Sequence, residues 1–150
     1  MPKVRITKEF NFEMAHALYG YDGPCKHIHG HSYMLAVTLI GEILKDETHP
    51  KNGMVIDFGD IKQMVNELII NPLDHSLMLN ANSPHKDLIE ASHLGHQKQV
   101  LVNYQPTCEN MVVDFAKTLI NYLPPGLRLH HLLLRETPTS YAEWFAEDNK

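Results

Sequence analysis

The stretch Cys25-Lys26-His27-Ile28-His29-Gly30-His31 constrains this chain more than any other. It sets histidines and a cysteine within a few residues of one another, and a strand-forming run follows at once. Ser32 to Ile43 is rich in Val, Leu, Ile, Thr and Tyr. Imidazole nitrogen and thiolate sulfur are the ligands zinc prefers. A strand beginning near His29 puts His29 and His31 on one face, because alternate side chains of a strand share a side. Tyr33, Leu35, Val37 and Leu39 continue that face. Gly30 removes a side chain where two bulky ligands must crowd one ion.

The same parity finds a third ligand. Val4, Ile6, Phe10, Phe12 and Met14 alternate with Arg5, Thr7, Glu9, Asn11 and Glu13, with only Lys8 breaking the apolar row. This reads as a half-buried strand. His16 falls on its apolar face, at its end. If the two strands pair as an antiparallel hairpin, His16 lies beside His29 and His31. Three neutral imidazoles then converge, leaving a tetrahedral zinc one open position, as catalytic zinc requires. Two plainer readings stay open. The H-x-H pair alone is a weak motif. Cys25 as fourth ligand would close the site and make it structural.

The chain of 150 residues is one domain, long enough for a real core. A net charge of −5 with mixed signs argues against a nucleic-acid partner. Two cysteines in unlike surroundings suggest a reducing compartment and no disulfide framework. No apolar run reaches membrane-span length and the N-terminus lacks a signal-peptide core, so a cytoplasmic protein with no membrane partner is expected.

Further along, Gly20, Gly23 and Pro24 form the long loop of the first hairpin, and Met54 to Phe58 is a short extended stretch. Ile61, Met64, Val65, Leu68 and Ile69 have helical spacing, with Asp60 as N-cap and Asn71-Pro72 as the stop. Asp74-His75 then reads locally as a loop with a turn-forming Asp. A functional Asp would instead fix the tautomer of a histidine. Ser83-Pro84 opens a short helix, His93 and His96 stand three apart, and Val100 to Tyr104 adds a short edge strand. Thr107 caps a second helix, with Glu109 in its first turn and Val112, Phe115, Ala116, Leu119 and Ile120 on its buried face. Leu127 to Leu134 and Tyr141 to Ala146 are the last strands, with Glu136-Thr137 at the turn between them. The order is ββααββ, with an irregular insertion between the helices. That is an α+β pattern: a four-stranded antiparallel sheet with two helices on one face. Its uncovered face and edges call for subunit association.

Six pieces in order resemble one family. They are F-x-F-E-x-A-H at 10–16, C-x3-H-G-H at 25–31, I-D-F at 56–58, L-D-H at 73–75, P-T-x-E-N at 106–110 and R-E-T at 135–137. The chain resembles the 6-pyruvoyltetrahydropterin synthase/6-carboxytetrahydropterin synthase family over nearly its whole length. The resemblance implies a tunnelling fold (T-fold), in which sheets of several subunits close into a barrel. It also implies a homohexamer of stacked trimers with active sites at subunit interfaces. His16, His29 and His31 match the family's zinc ligands, and Cys25 its catalytic base. Asp74 and His75 match the rest of the proton relay, against the local reading. Glu136 matches the carboxylate that anchors the pterin, and Thr107 and Glu109 match a helix start bordering the same pocket. The short Cys-to-His spacing and I-D-F are similar to the bacterial 6-carboxytetrahydropterin synthases of the queuosine pathway. The implied reaction converts 7,8-dihydroneopterin triphosphate to 6-carboxy-5,6,7,8-tetrahydropterin. The alternatives are a 6-pyruvoyl-forming synthase, a zinc hydrolase with Glu109 or Glu136 as base, and a non-catalytic zinc-stabilised oligomer.

Overall fold

The computed structural model describes residues 1–91 and 96–150, so the suggestion at His93 lies outside the described residues. Strand β1 (Lys3–His16) and strand β2 (His29–Glu42) form one long antiparallel hairpin. Its register pairs Phe10 with Leu35, Phe12 with Tyr33, Met14 with His31 and His16 with His29. The period-2 pattern therefore places its apolar rows on one side, as expected.

Helix α1 (Phe58–Val65) runs through a π-helical turn at Asn66–Ile70 into a last turn, α2 (Asn71–Leu73). Strands β3 (Ser76–Asn80) and β4 (Gln99–Val102) flank the short helix α3 (His85–Ala91). Helix α4 (Cys108–Ile120) and the hairpin of β5 (Arg128–Thr137) with β6 (Ser140–Phe145) complete the chain.

The strands make one sheet in the order β4-β3-β1-β2-β5-β6. The two long helices cover one face, and Ile89 of α3 packs with Leu77 and Leu79 of β3, whose side chains alternate with the core-facing Met78. Ile61, Val65 and Ile69 of the first helix and Met111, Phe115 and Leu119 of α4 bury against Phe12, Tyr33, Leu35, Leu132 and Leu134. Phe12 stacks on Tyr33 with centroids 5.0 Å apart, and Phe115 meets Phe12 edge-on at 6.4 Å.

Four expectations need correction. The sheet has six strands, not four, and it is mixed: β3 runs parallel to β1, and β4 parallel to β3. Ser76–Asn80 is short and largely buried, so it carries no alternation to read. The N-cap of α1 is Asp57, whose carboxylate accepts from the Gly59 amide, rather than Asp60. Pro72 does not stop the helix at Asn71. The π turn before it widens the coil enough to admit a ring that clashes with an ordinary i−4 carbonyl. Finally, β5 extends to Thr137, so Glu136 lies within a strand and not at a turn.

Candidate functional site

The β1–β2 register carries three imidazoles to one point. His16 is buried at the end of β1, and its Nδ1 lies 2.7 Å from the Pro106 carbonyl oxygen. The Nδ1 of His29 lies 2.6 Å from the carbonyl oxygen of His27. A carbonyl only accepts, so each Nδ1 carries the proton and each Nε2 presents a lone pair. Those two Nε2 atoms stand 3.0 Å apart. The His31 ring completes the group, with centroids 5.1 Å from His16 and 4.8 Å from His29. Its buried Nε2 lies 3.0 Å from Glu136 Oε1, yet makes no hydrogen bond.

One ligand atom from each of His16, His29, His31 and Glu136 lies within 4.8 Å of the others. Atoms bonded tetrahedrally to one ion at about 2.1 Å stand about 3.4 Å apart, so the group is close to a first coordination sphere. Its chemistry fits a divalent metal. Burial pushes the His16 imidazole down to about 4, with the neighbouring histidines adding to the effect, so it stays neutral and free to ligate. Burial also lowers His31, against a raising influence from Glu136. Two lone pairs facing each other repel, and a cation between them reverses the sign. The carbonyls on Nδ1 are the outer partners that fix ligating histidines. Among the described residues this group includes Glu136 and not Cys25.

Glu136 reaches the group through a bulge. Arg135 pairs with Tyr141 and Thr137 with Ser140, leaving Glu136 unpaired between them. It keeps the parity of the buried Leu132 and Leu134, and so points to the histidine side of the sheet. Gly30 differs from expectation. A Cβ there would meet only the Met14 carbonyl at 3.6 Å, an ordinary contact, since Gly30 faces away from its histidine neighbours.

Cys25 sits half-buried in a 3-10 turn at Pro24–Lys26, and its carbonyl accepts from the Leu18 amide at 3.0 Å. It shares a cavity of about 360 Å³ with His16, Thr107, Cys108, Glu109 and Glu136. Thr107 caps α4 by accepting from the Asn110 amide at 3.2 Å, and Glu109 is exposed at the rim. Cys108 is the inert thiol of the pair. Burial and the Glu136 carboxylate push it up to about 12, and it donates to the Leu134 carbonyl at 3.2 Å.

Asp74 and His75 stand elsewhere. They follow α2, and His75 has a left-handed backbone, φ 61°. The turn lets neighbours in sequence meet: His75 Nδ1 is 3.1 Å from Asp74 Oδ1. An extended segment would have separated them, which is why the local pattern reads as a plain loop. The Asp74 carboxyl is held below its ordinary range, first by the Glu13 amide and then by His75 and Lys98. His75 lines a second cavity with His31, Ser32, Ser76 and Lys98, not the one holding Cys25. The histidine cluster borders both, through His31 on one side and His16 on the other. Sequence reasoning missed the meeting of Glu136 with His31, although continued parity along β5 carries that signal. It also missed the Pro106 carbonyl, which has no side-chain signal at all. His96 is exposed and accepts from Gln97 at 2.9 Å.

The chain is similar to known proteins over almost its whole length. The family model described as 6-pyruvoyl tetrahydropterin synthase matches residues 5–147. A 6-carboxy-5,6,7,8-tetrahydropterin synthase of Haemophilus influenzae is 35% identical, over 93% of this chain and 97% of that protein. One of Aquifex aeolicus is 30% identical, over 97% of this chain and 99% of that protein. Among solved structures, the 6-pyruvoyl tetrahydropterin synthase of Caenorhabditis elegans superposes with a TM-score of 0.68 at 23% identity, covering 97% of each chain. An uncharacterized protein from Wolinella succinogenes reaches a TM-score of 0.75 at 21% identity, covering 97% of this chain and 99% of its own. These structures share the T-fold.

Proposed function

The chain belongs to the 6-pyruvoyl tetrahydropterin synthase family, and we propose that it is a zinc-dependent 6-carboxy-5,6,7,8-tetrahydropterin synthase of the queuosine/deazapurine pathway. In this reading 7,8-dihydroneopterin triphosphate and water give 6-carboxy-5,6,7,8-tetrahydropterin, acetaldehyde and triphosphate. The observation that carries it is the histidine group, whose inward Nε2 atoms suit a metal and border both cavities. The relatives' shared name supports the carboxy-forming branch.

His16, His29 and His31 would hold the zinc, which supplies Lewis acidity that eases loss of a proton beside the substrate's side-chain hydroxyls. Cys25 takes that proton as thiolate, from its place in the cavity shared with His16. Glu136 accepts two N–H bonds from the guanidine-like edge of the pterin, a charge-assisted geometry that also orients the ring. Thr107 and Glu109 border the same cavity and shape its mouth. Asp74 orients His75, which passes protons to and from the reacting side chain.

Within one chain Cys25 and His75 line different cavities. That separation supports a site completed by a second copy, with the T-fold sheets assembled as a hexamer of stacked trimers. Among the described residues no helix is long and apolar enough to cross a membrane.

Incubating the zinc-loaded protein with dihydroneopterin triphosphate and weighing the products tests the reading. The carboxylated tetrahydropterin and acetaldehyde are expected. A pyruvoyl product without acetaldehyde would move the chain to the other branch, and unchanged substrate would overturn both.

A further inference from the structure

The segment between β3 and α4 returns to the sheet as β4, and the residue before β4 is Lys98. Its backbone is fixed by parallel pairing, because the Leu77 amide donates to the Lys98 carbonyl at 2.9 Å. Its ammonium reaches across the end of α2. Lys98 Nζ donates to the Asn71 carbonyl at 2.7 Å and to the Asp74 carbonyl at 2.8 Å. The carbonyls at a helix C-terminus lack partners within the helix and carry the negative end of its dipole, so a cation there binds by geometry and by charge.

The same turn is also held by Glu13 of β1. The Glu13 carbonyl accepts from the His75 amide at 2.6 Å, and the Glu13 amide donates to Asp74 Oδ1 at 2.9 Å. The Glu13 carboxylate is itself engaged by the Ser32 hydroxyl at 2.7 Å. Between these two clamps His75 is kept at φ 61°, a conformation that residues with a side chain seldom adopt unsupported. His75 is largely exposed. Its direction is therefore set by the backbone of the turn.

We propose that Lys98 is a positioning residue: its ammonium, clamped on the Asn71 and Asp74 carbonyls, holds the left-handed turn that presents His75. The segment between β3 and α4 thus supplies part of the proton-relay scaffold, although no atom of Lys98 needs to touch substrate. The inference rests on the synthase reading for the role of His75, and on the two ammonium–carbonyl hydrogen bonds for the clamp itself. The positive charge also favours the ionised Asp74 that orients the His75 ring.

Lys98→Met keeps the stem and removes the donors, and Lys98→Arg restores donors and charge. Hydrogen exchange followed by mass spectrometry reads the turn without substrate. In Lys98→Met the His75 amide should exchange about tenfold faster while β2 peptides stay unchanged, since the clamp acts on a local opening. Turnover should fall about tenfold with KM within about twofold and zinc content intact, as expected for a misaligned relay group. Lys98→Arg should recover most of both. Unchanged exchange or turnover in Lys98→Met overturns the proposal, because water then replaces the clamp. Equal loss of protection in β2 overturns it too, because the role is then general stability. Wild-type protein that does not turn over the pterin defeats the synthase reading instead, and the exchange result still decides the clamp.

Discussion

The Nε2 atoms of His16 and His29 stand 3.0 Å apart, and each ring turns its Nδ1 to a carbonyl oxygen. Both protons lie on Nδ1, committed to the carbonyls of Pro106 and His27. Two imidazoles so oriented repel as neutral groups and attract a common cation. The strand register creates this pair directly, since His16 and His29 are opposite residues of the hairpin. The cluster is thus built to be unsatisfied until a metal enters.

Metal should therefore stabilise the fold measurably. A ligand at a hundred times its dissociation constant adds about 2.7 kcal/mol to a folded state that alone binds it. Zinc added to chelated wild-type protein should raise its melting temperature, and His29→Ala and His31→Ala should lose that shift along with the bound metal. Elemental analysis checks the same point. Full zinc occupancy in both variants would defeat the assignment.

Acid should weaken the metal-free protein before its carboxylates titrate. His16 titrates near 6.5 when free and at about 4 in the fold, because burial disfavours the charged ring. The unfolded chain thus takes up the proton first. The contribution is complete above about pH 6.5 and is lost as the pH falls toward about 4, at most about 3 kcal/mol. His31, also lowered, acts in the same direction. Urea midpoints of chelated protein should fall between about pH 7 and 5, and His16→Gln should flatten the slope. A flat wild-type profile would contradict the burial of a neutral His16.

How much of this could be read from the residues follows from where the information lies. The hairpin, the meeting of His16, His29 and His31, and both main helices follow from period 2 and period 3.6, which are local properties. β3 escaped because a short parallel strand buried on both faces shows no alternation. The apolar run of β5 ends at Leu134, which puts Glu136 at a turn, while a bulge carries the strand past it. The Asp74–His75 contact depends on one positive φ, set by Glu13 and Lys98 from distant parts of the chain. No pattern around residue 75 contains that. The six family motifs marked Asp74 and His75 as a pair, and the structure adds the turn that lets them touch.

Subunit complementation should follow from the separation of Cys25 and His75 into different cavities. If the working site combines Cys25 of one copy with His75 of another, Cys25→Ala and His75→Ala proteins are each inactive alone. Unfolded together and reassembled, mixed oligomers contain some sites with both groups intact. Activity should then return in part. Each protein reassembled separately is the control. No recovery in oligomers shown to be mixed would place the whole site within one chain.

Removing the thiol at position 25 tests the division of labour at the centre. The three histidines converge without Cys25, so Cys25→Ala should keep zinc and assembly. As the general base, its loss should reduce turnover by about 10²–10⁴-fold. Substrate affinity should survive, because Glu136 and the histidines are untouched. Binding of the pterin is therefore measured on the same preparation as zinc content and turnover. The second thiol offers no rescue. Cys108 is buried, bonded to the Leu134 carbonyl and held as thiol by a value pushed up to about 12. A zinc-depleted Cys25→Ala protein would make the thiol a ligand, against the arrangement seen here. A zinc-replete and fully active one would remove Cys25 from the chemistry and leave His75, or a carboxylate of the same cavity, as the base.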